Sequence, residues 1–438
     1  MNNNSVLSPT MTKHLLDWKL HLLVIAVSLL AEWIGIIKIP IGIGILVLLP
    51  LLYAFIFAIL LNPNVVPSMK AVITKKRAKF ASYAILLSIM PFIAKFGVGV
   101  GPNIEEIIAA GPALLLQELG NVATVLIALP VAVLVFGMGR EAIGATHSVA
   151  REPNVALIAD KYGLQSPEGI GVMGVYVMGT LFGAIYFSLM AGIIASMEIM
   201  DVRALAMACG IGSGSMMGAC SAALAETVPA QAETITAFAA TSNLLTYATG
   251  LFVSLFVALP FTEFLYKVVS KFKKHQQTVA TTETNLDAVM EEPASLSIMQ
   301  SFILLAVICV VLLLSNWVGQ GVNPLTALPA MLILFACCVI GMLLKRFIPV
   351  NVPAIAWISI VAILISLPQF PFNAYVLEET AKLGVLQLLT TVLAYAGFAI
   401  SQMEVDLFKK SGFKIAIVAI LTFTGTFIGS AMIAQAML

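Results

Sequence analysis

The stretch from Ala208 to Glu226, ACGIGSGSMMGACSAALAE, decides the fold. It is too apolar for a surface loop and too rich in glycine and serine for a good membrane helix. The topology of everything after it depends on whether it crosses a bilayer or turns back inside one.

A bilayer is implied by composition. Of 438 residues, 60% are hydrophobic and 10% charged, with a mean hydropathy of +1.03, whereas soluble proteins carry roughly 25% charged residues. Runs such as HLLVIAVSLLAEWIGII (21–37), GILVLLPLLYAFIFAILL (44–61) and FKIAIVAILTFTGTFIGSAM (413–432) are long enough to cross a hydrocarbon core as helices. The N-terminal stretch MNNNSVLSPTMTKHLLDWKLH lacks a short apolar core with a small-residue cleavage site, so the first apolar run is expected to be retained as a span. Spans are expected near 22–37, 41–61, 80–98, 112–137, 168–195, 234–264, 299–318, 324–344, 352–368, 382–401 and 414–436.

Charge then places the opening stretch. Positive residues concentrate in cytoplasmic loops, and if 203–225 enters and leaves on one side, all 23 Lys and Arg except Lys38, Lys95, Arg203 and Lys382 fall on the cytoplasmic face. If the stretch crosses, every basic residue after position 266 moves outside except Lys382. A re-entrant hairpin is therefore expected, unless the neighbouring QAETITAFAATSNLLTYATG (231–250) is the non-spanning element instead. Non-helical backbone at membrane depth needs protein or a water-filled cavity around it.

Two pairs of segments match each other. IGIIKIPIGIGILVLLPLLYAFIFAILL from Ile34 aligns with GMLLKRFIPVNVPAIAWISIVAILISL from Gly341, with Pro40 over Pro349. PFIAKFGVGVGPNIEEIIAAG, ending at Gly111, aligns with VLAYAGFAISQMEVDLFKKSG, ending at Gly412. The loop charges give the partners opposite orientations, an inverted repeat of the kind common in secondary transporters. Chance likeness between apolar runs is the competing reading. The expected division is a cytoplasmic tail (1–21), a first repeat unit (22–137), a core insert (138–266), a cytoplasmic linker (267–298), a connecting span (299–318) and a second repeat unit (319–438).

Polar residues concentrate in the insert. In the hairpin, Gly210, Gly212, Gly214 and Gly218 let backbone approach a ligand, Ser213 and Ser215 bring hydroxyls, and freed amides at a broken helix end attract anions. Small-residue helix packing explains the same spacing. Ser242, Asn243 and Thr246 share a helix face and suit a sodium ion, a carboxylate or simple interhelical hydrogen bonds. In GREAIGATHSVAREPNVALI (139–158), Arg140 and Arg151 are candidates to grip a carboxylate, against a solvated loop as the alternative, and His147 is a candidate proton switch. Glu118 lies inside a span and is a candidate for a coupling proton or sodium ion, with Lys95 as its expected partner. Cys209, Cys220, Cys309, Cys337 and Cys338 have no disulfide or metal spacing and read as small packing residues. HExxH, GxSxG and P-loop signatures are absent, so no enzyme is expected. No basic stripe with aromatics points to nucleic acid.

The stretches at 139–158, 167–184 (PEGIGVMGVYVMGTLFGA), 208–226 and 241–263 (TSNLLTYATGLFVSLFVALPFTE) resemble an uncharacterised bacterial inner-membrane family, the domain of unknown function 3100. More distantly, IKIPIGIG and RFIPVNVP resemble the inverted repeats of sodium/glutamate symporters and related carboxylate transporters. That likeness implies an elevator mechanism, although the second half lacks a hairpin mirroring 208–226. The expected fold class is all-α: a polytopic membrane protein of about eleven transmembrane helices plus a re-entrant hairpin, with its N-terminus in the cytoplasm. The expected function is cation-coupled transport of a small, anionic organic solute, with an uncoupled pore or a membrane sensor or assembly protein as alternatives. No cofactor is expected beyond sodium or a proton as coupling ion. Expected partners are a small-molecule solute and the lipid bilayer, with a homodimer left open.

Overall fold

The computed structural model describes residues 18–40, 45–71, 73–149, 151–163, 166–272, 296–348 and 354–438. The expected tail through residue 17, the linker across 273–295, and Pro349 of the repeat match lie outside them.

Element by element, helices dominate. The first helix, α1 (Trp18–Ile34), leads into a hairpin of β1 (Ile37–Pro40) and β2 (Ile45–Leu48), paired antiparallel with Ile37 opposite Leu48. Helix α2 (Pro50–Leu61) opens on a proline at its first position, where no amide is needed. Helix α3 (Lys75–Val100) is capped by Thr74, whose hydroxyl accepts from the Arg77 amide. Helix α4 (Gly111–Val135) contains a tightened turn at Gln117–Leu119. Short helices α5 (Glu141–Thr146) and α6 (Glu152–Tyr162) precede the long α7 (Pro167–Ser196), and then come α8 (Val202–Cys209), α9 (Gly214–Thr227), α10 (Ala232–Val253) and α11 (Leu259–Val269). After the linker, α12 (Ile298–Gln320) starts with a capping box of Ser297 and Gln300 and ends at Gly321, whose φ of 73° closes the helix. There follow α13 (Pro324–Phe347), α14 (Ala354–Ser366), α15 (Asn373–Ala381), α16 (Val385–Ala399) and α17 (Gln402–Met437), the last kinked at Gly412 with φ 68°.

The chain is thus a helical membrane protein, but the helices long and apolar enough to cross a bilayer number six among the described residues: Tyr83–Ala109, Gly111–Val135, Pro167–Ser196, Ile298–Gln320, Pro324–Phe347 and Gly412–Met437. The bent pair α15 and α16, at 63°, makes a seventh if it counts as one span. The sequence-derived count of about eleven exceeds this for a physical reason visible in the first spans. Ile-rich residues assigned to the second span pair instead as β2, leaving α2 with 12 residues, and α14 has 13. The cysteine reading also needs correction. Cys209 and Cys220 form a disulfide, with Cα atoms 5.4 Å apart, because the break between α8 and α9 folds them together. Cys309, Cys337 and Cys338 are buried and free.

The chain forms two compact units, one of Met1–Ile104 with Glu291–Val405 and the other of Glu105–Met290 with Asp406–Leu438. In the first, glycines let helices touch backbone to backbone. A β-carbon at Gly97 of α3 would lie 2.7 Å from the Ala362 Cβ and 3.0 Å from the Ser359 carbonyl of α14, and Gly101 abuts Ser366 further along. The two helices therefore run in the same direction. Likewise a β-carbon at Gly397 of α16 would lie 2.6 Å from the Ala58 Cβ and 2.8 Å from the Phe55 carbonyl of α2. Where α2 ends, Asn62 donates to the carbonyls of Gly397, Phe398 and Ile400 at 2.9, 3.0 and 3.0 Å, satisfying the orphan C-terminus of α16.

In the second unit, α4 and α17 cross antiparallel on small residues. Gly120 abuts Ser430, Gly425 abuts Thr124, and the Thr124 and Thr426 hydroxyls lie 2.5 Å apart. Helices α5 and α7 cross through Gly144 and Gly171, each pressed on a carbonyl of the other helix. The hairpin of α8 and α9 packs on α7 and α10.

Gly397→Val is expected to destabilise the protein by about 1–3 kcal/mol through overpacking. Gly111→Ala, with nothing within 4 Å of the added carbon, is expected to stay within about 0.5 kcal/mol of wild type. Unfolding in detergent, followed by circular dichroism, measures both.

Candidate functional site

The break in the hairpin is built by complementary local signals. Asp201 caps α8 by accepting from the Arg203 amide at 2.8 Å, and Ser213 caps α9 by accepting from the Met216 amide. Between them, Gly210 through Ser213 are not helical in the regular sense, so their carbonyls need partners from elsewhere. Helix α10 supplies these. The Asn243 amide nitrogen donates to the Gly210 and Gly212 carbonyls at 2.7 and 2.9 Å, and the Ser242 hydroxyl donates to the Met207 carbonyl at 2.6 Å. A side chain at Gly210 would collide with Ser242, which is why the contact needs glycine there.

Both ends of the hairpin line one groove of about 590 Å³. Asp201 and Arg203, before α8, face it together with Val228 and Gln231, after α9. Arg203 is held there by Asp201 at 2.7 Å and by Glu106 at 3.6 Å.

A buried charge pair lies on the same face of α10. The tightened turn at Gln117–Leu119 sets Gln117 and Glu118 into the unit with no exposure. The Gln117 amide nitrogen donates to Ser242 at 2.6 Å, and the Ser430 hydroxyl holds the Gln117 carbonyl at 2.7 Å. Thr246 donates its hydroxyl to Glu118 Oε1. The cation acting on Glu118 is Arg151, itself 6% exposed. Gly250 lies between the two, since a β-carbon there would be 3.1 Å from Arg151 Nη2 and 3.3 Å from Glu118 Oε2. Glu118 Oε2 and Gln117 Oε1 have no hydrogen-bond partner among the described residues. Buried acceptors left open in this way are costly in isolation and are natural points for a ligand, proton or water.

Of the residues picked out from sequence, the structure brings together Gly210, Gly212, Ser242, Asn243, Thr246, Glu118 and Arg151. Ser242 and Asn243 brace the hairpin by their side chains, and Thr246 faces the carboxylate. Ser213 and Ser215 are half-buried with hydroxyls 3.2 Å apart at the start of α9, whereas Gly218 lies inside that helix, where its carbonyl accepts from Ser221. The cation acting on Glu118 among the described residues is Arg151, and Lys95, in the other compact unit, donates its amine to the Thr380 carbonyl at 2.6 Å. Arg140 is half-exposed and engaged elsewhere, with Glu168, with Glu263 at 3.9 Å and over the Tyr162 ring at 6.0 Å. His147 is fully buried, with Nδ1 3.0 Å from the Gly144 carbonyl, and burial pushes its pKa down to about 4. Gln117 and Gly250 were not picked out from sequence. Their signals were adjacency to a membrane acid and a position one turn beyond Thr246.

Removing one charge of a buried pair strands the other, so Arg151→Met is expected to destabilise by about 3–5 kcal/mol, with Glu118→Gln in the same background restoring most of the loss. A double-mutant cycle by thermal unfolding measures that coupling. His147, with its folded pKa below the ordinary histidine value of 6.5, leaves stability intact above that value. As pH falls from there towards 4 the unfolded chain takes the proton first and stability declines. His147→Gln should flatten that acid slope, and imidazole NMR shifts should show the ring neutral at pH 6.

Residues 29–268 match the family described as protein of unknown function, DUF3100. No curated protein and no solved structure matches the chain. The matched region holds the hairpin, its α10 clasp and the Glu118–Arg151 pair, and on that match the chain belongs to the DUF3100 family.

Proposed function

We propose that this protein is a cation-coupled secondary transporter of a small organic anion in the bacterial inner membrane, with its N-terminus in the cytoplasm. The observation that carries the reading is the Glu118–Arg151 pair, buried with open acceptor atoms beside a helix break. In a low-dielectric interior such a pair has few purely structural advantages. In the proposed cycle the solute carboxylate takes the Arg151 guanidinium through parallel hydrogen bonds, and Glu118, released from that charge, takes a proton. Release of anion and proton together restores the pair and leaves the site's charge unchanged. The freed amides at the N-terminus of α9 offer further stabilisation of negative charge. His147, held neutral, takes no part in the coupling.

An inverted repeat with about eleven membrane crossings, several as short or broken helices, and a re-entrant α8–α9 hairpin belong to this proposal. Three features support the repeat. The compact units divide each half of the chain at equivalent points, after Ile104 and after Val405, which are offset as Gly111 is from Gly412. Helix α2 packs on α16 as α14 packs on α3, each contact made at a glycine, Gly397 and Gly97, one position apart in the alignment. Helices α4 and α17 run antiparallel and cross where Thr124 meets Thr426, one position from its counterpart Gly425.

Uptake of labelled small carboxylates into proteoliposomes under an imposed pH gradient tests the reading. Wild type is expected to accumulate a substrate. Glu118→Gln should retain exchange of labelled for unlabelled solute but lose gradient-driven accumulation, and Gly214→Leu should insert normally and transport nothing. Gradient-driven accumulation in Glu118→Gln would contradict the coupling role, and downhill flux indifferent to any gradient in wild type would favour an uncoupled pore. Absence of all flux would favour a sensor or assembly protein.

A further inference from the structure

The unit formed by Met1–Ile104 and Glu291–Val405 holds a second buried acid, which the transport reading does not use. Glu32, in the last turn of α1, is 7% exposed. Three helices meet around it. From α16, Gln387 donates its amide to Glu32 Oε2 at 3.0 Å, while the Thr390 hydroxyl is spent on the Leu386 carbonyl at 3.0 Å; from α12, Gln320 donates to the Gln387 oxygen at 2.9 Å. A β-carbon at Gly319 of α12 would collide with Glu32 Oε2 and would lie 2.6 Å from Gln387, so α12 reaches the carboxylate only because it carries glycine there. Side-chain nitrogens thus come only from amides, and no basic group is among those acting on Glu32 in the described residues. Lys382, at the start of this region of chain, is committed to Glu379 at 2.6 Å.

Open oxygen atoms mark what is missing. Among the described residues, Glu32 Oε1 is buried with no hydrogen-bond partner, and so are the hydroxyls of Ser28 and Thr391. Ser28 precedes Glu32 by one helical turn, and Thr391 follows Gln387 by one turn, so each shares a helix face with a member of the cluster. We propose that Glu32 Oε1, with the Ser28 and Thr391 hydroxyls, forms a sodium site at the junction of α1, α12 and α16.

The donor chemistry favours sodium over the alternatives. A proton on Oε1 would satisfy at most one of the two open hydroxyls, whereas one cation contacts all three oxygens. A divalent ion is poorly matched, since hard divalent sites in proteins gather several carboxylates or more oxygens than this. A single carboxylate with two hydroxyl oxygens leaves a neutral site once one monovalent cation is bound. The C-terminal ends of α1 and α12 also lie at this level, and their partial negative charge favours a cation. At the start of α16 the opposing amide is already taken, because the Gly384 N–H donates to Asn316 at 2.9 Å.

Thermal unfolding of the purified full-length protein, titrated with NaCl against KCl at constant ionic strength and pH, tests the site without any transport assay. Ligand linkage predicts a saturable rise in midpoint specific to sodium. Glu32→Gln should abolish the rise, and Ser28→Ala should move its half-saturation to higher sodium. The same rise in KCl, or a full sodium response in Glu32→Gln, overturns the proposal. If Glu32→Gln does not fold, an unchanged half-saturation in both Ser28→Ala and Thr391→Val overturns it instead. A response lost in Glu118→Gln but kept in Glu32→Gln would place sodium at the other acid and also overturns it, whereas failure here leaves the reading of Glu118 and Arg151 standing.

Discussion

The hydrogen bonds from Asn243 to the Gly210 and Gly212 carbonyls are the constraint on which the second unit depends. A helix interrupted among apolar neighbours leaves carbonyls that neither water nor lipid satisfies, and each such group costs roughly 1–3 kcal/mol if left alone. One amide side chain meets two of them. With Ser242 on the Met207 carbonyl, α10 becomes the scaffold that lets the chain stop, turn over four residues and start again. The Cys209–Cys220 bridge ties the two arms just beyond that turn.

The charge pair follows from the same helix. Ser242 also receives Gln117, which fixes the tightened turn of α4, and that turn delivers Glu118 to Thr246 one turn further along α10. Brace and charge therefore share a single row of residues: 242, 243, 246 and 250. Moving α10 by one residue would unseat the hairpin and the carboxylate together.

Much of this was legible in the sequence, and the failures have identifiable causes. The helical membrane character followed from bulk composition, the break between α8 and α9 from its glycine content, and the polar row of α10 from its spacing. Misreadings arose where the partner lay far along the chain. Lys95 looked suited to Glu118 by position in neighbouring runs, but Arg151 lies in a loop whose path no local pattern gives. Cys209 and Cys220 looked like packing residues because eleven positions separate them, a spacing that means nothing until the chain reverses between them. The hairpin of β1 and β2 was hidden because a short strand of Ile, Leu and Val reads the same as the start of an apolar helix. Glu32 escaped notice for the related reason that its neighbours on other helices, Gly319 and Gln387, lie far along the chain.

The proposed transport cycle requires that the Gly210–Ser213 break become accessible to solute. The most direct test is thiol accessibility at Ser213→Cys and Ser215→Cys, with the native cysteines replaced, using impermeant reagents on each side of oriented vesicles. The account predicts labelling that depends on the side of reagent addition and changes when the cation gradient is imposed. Absence of labelling from either side under every condition would contradict it and make the break a packed helix crossing.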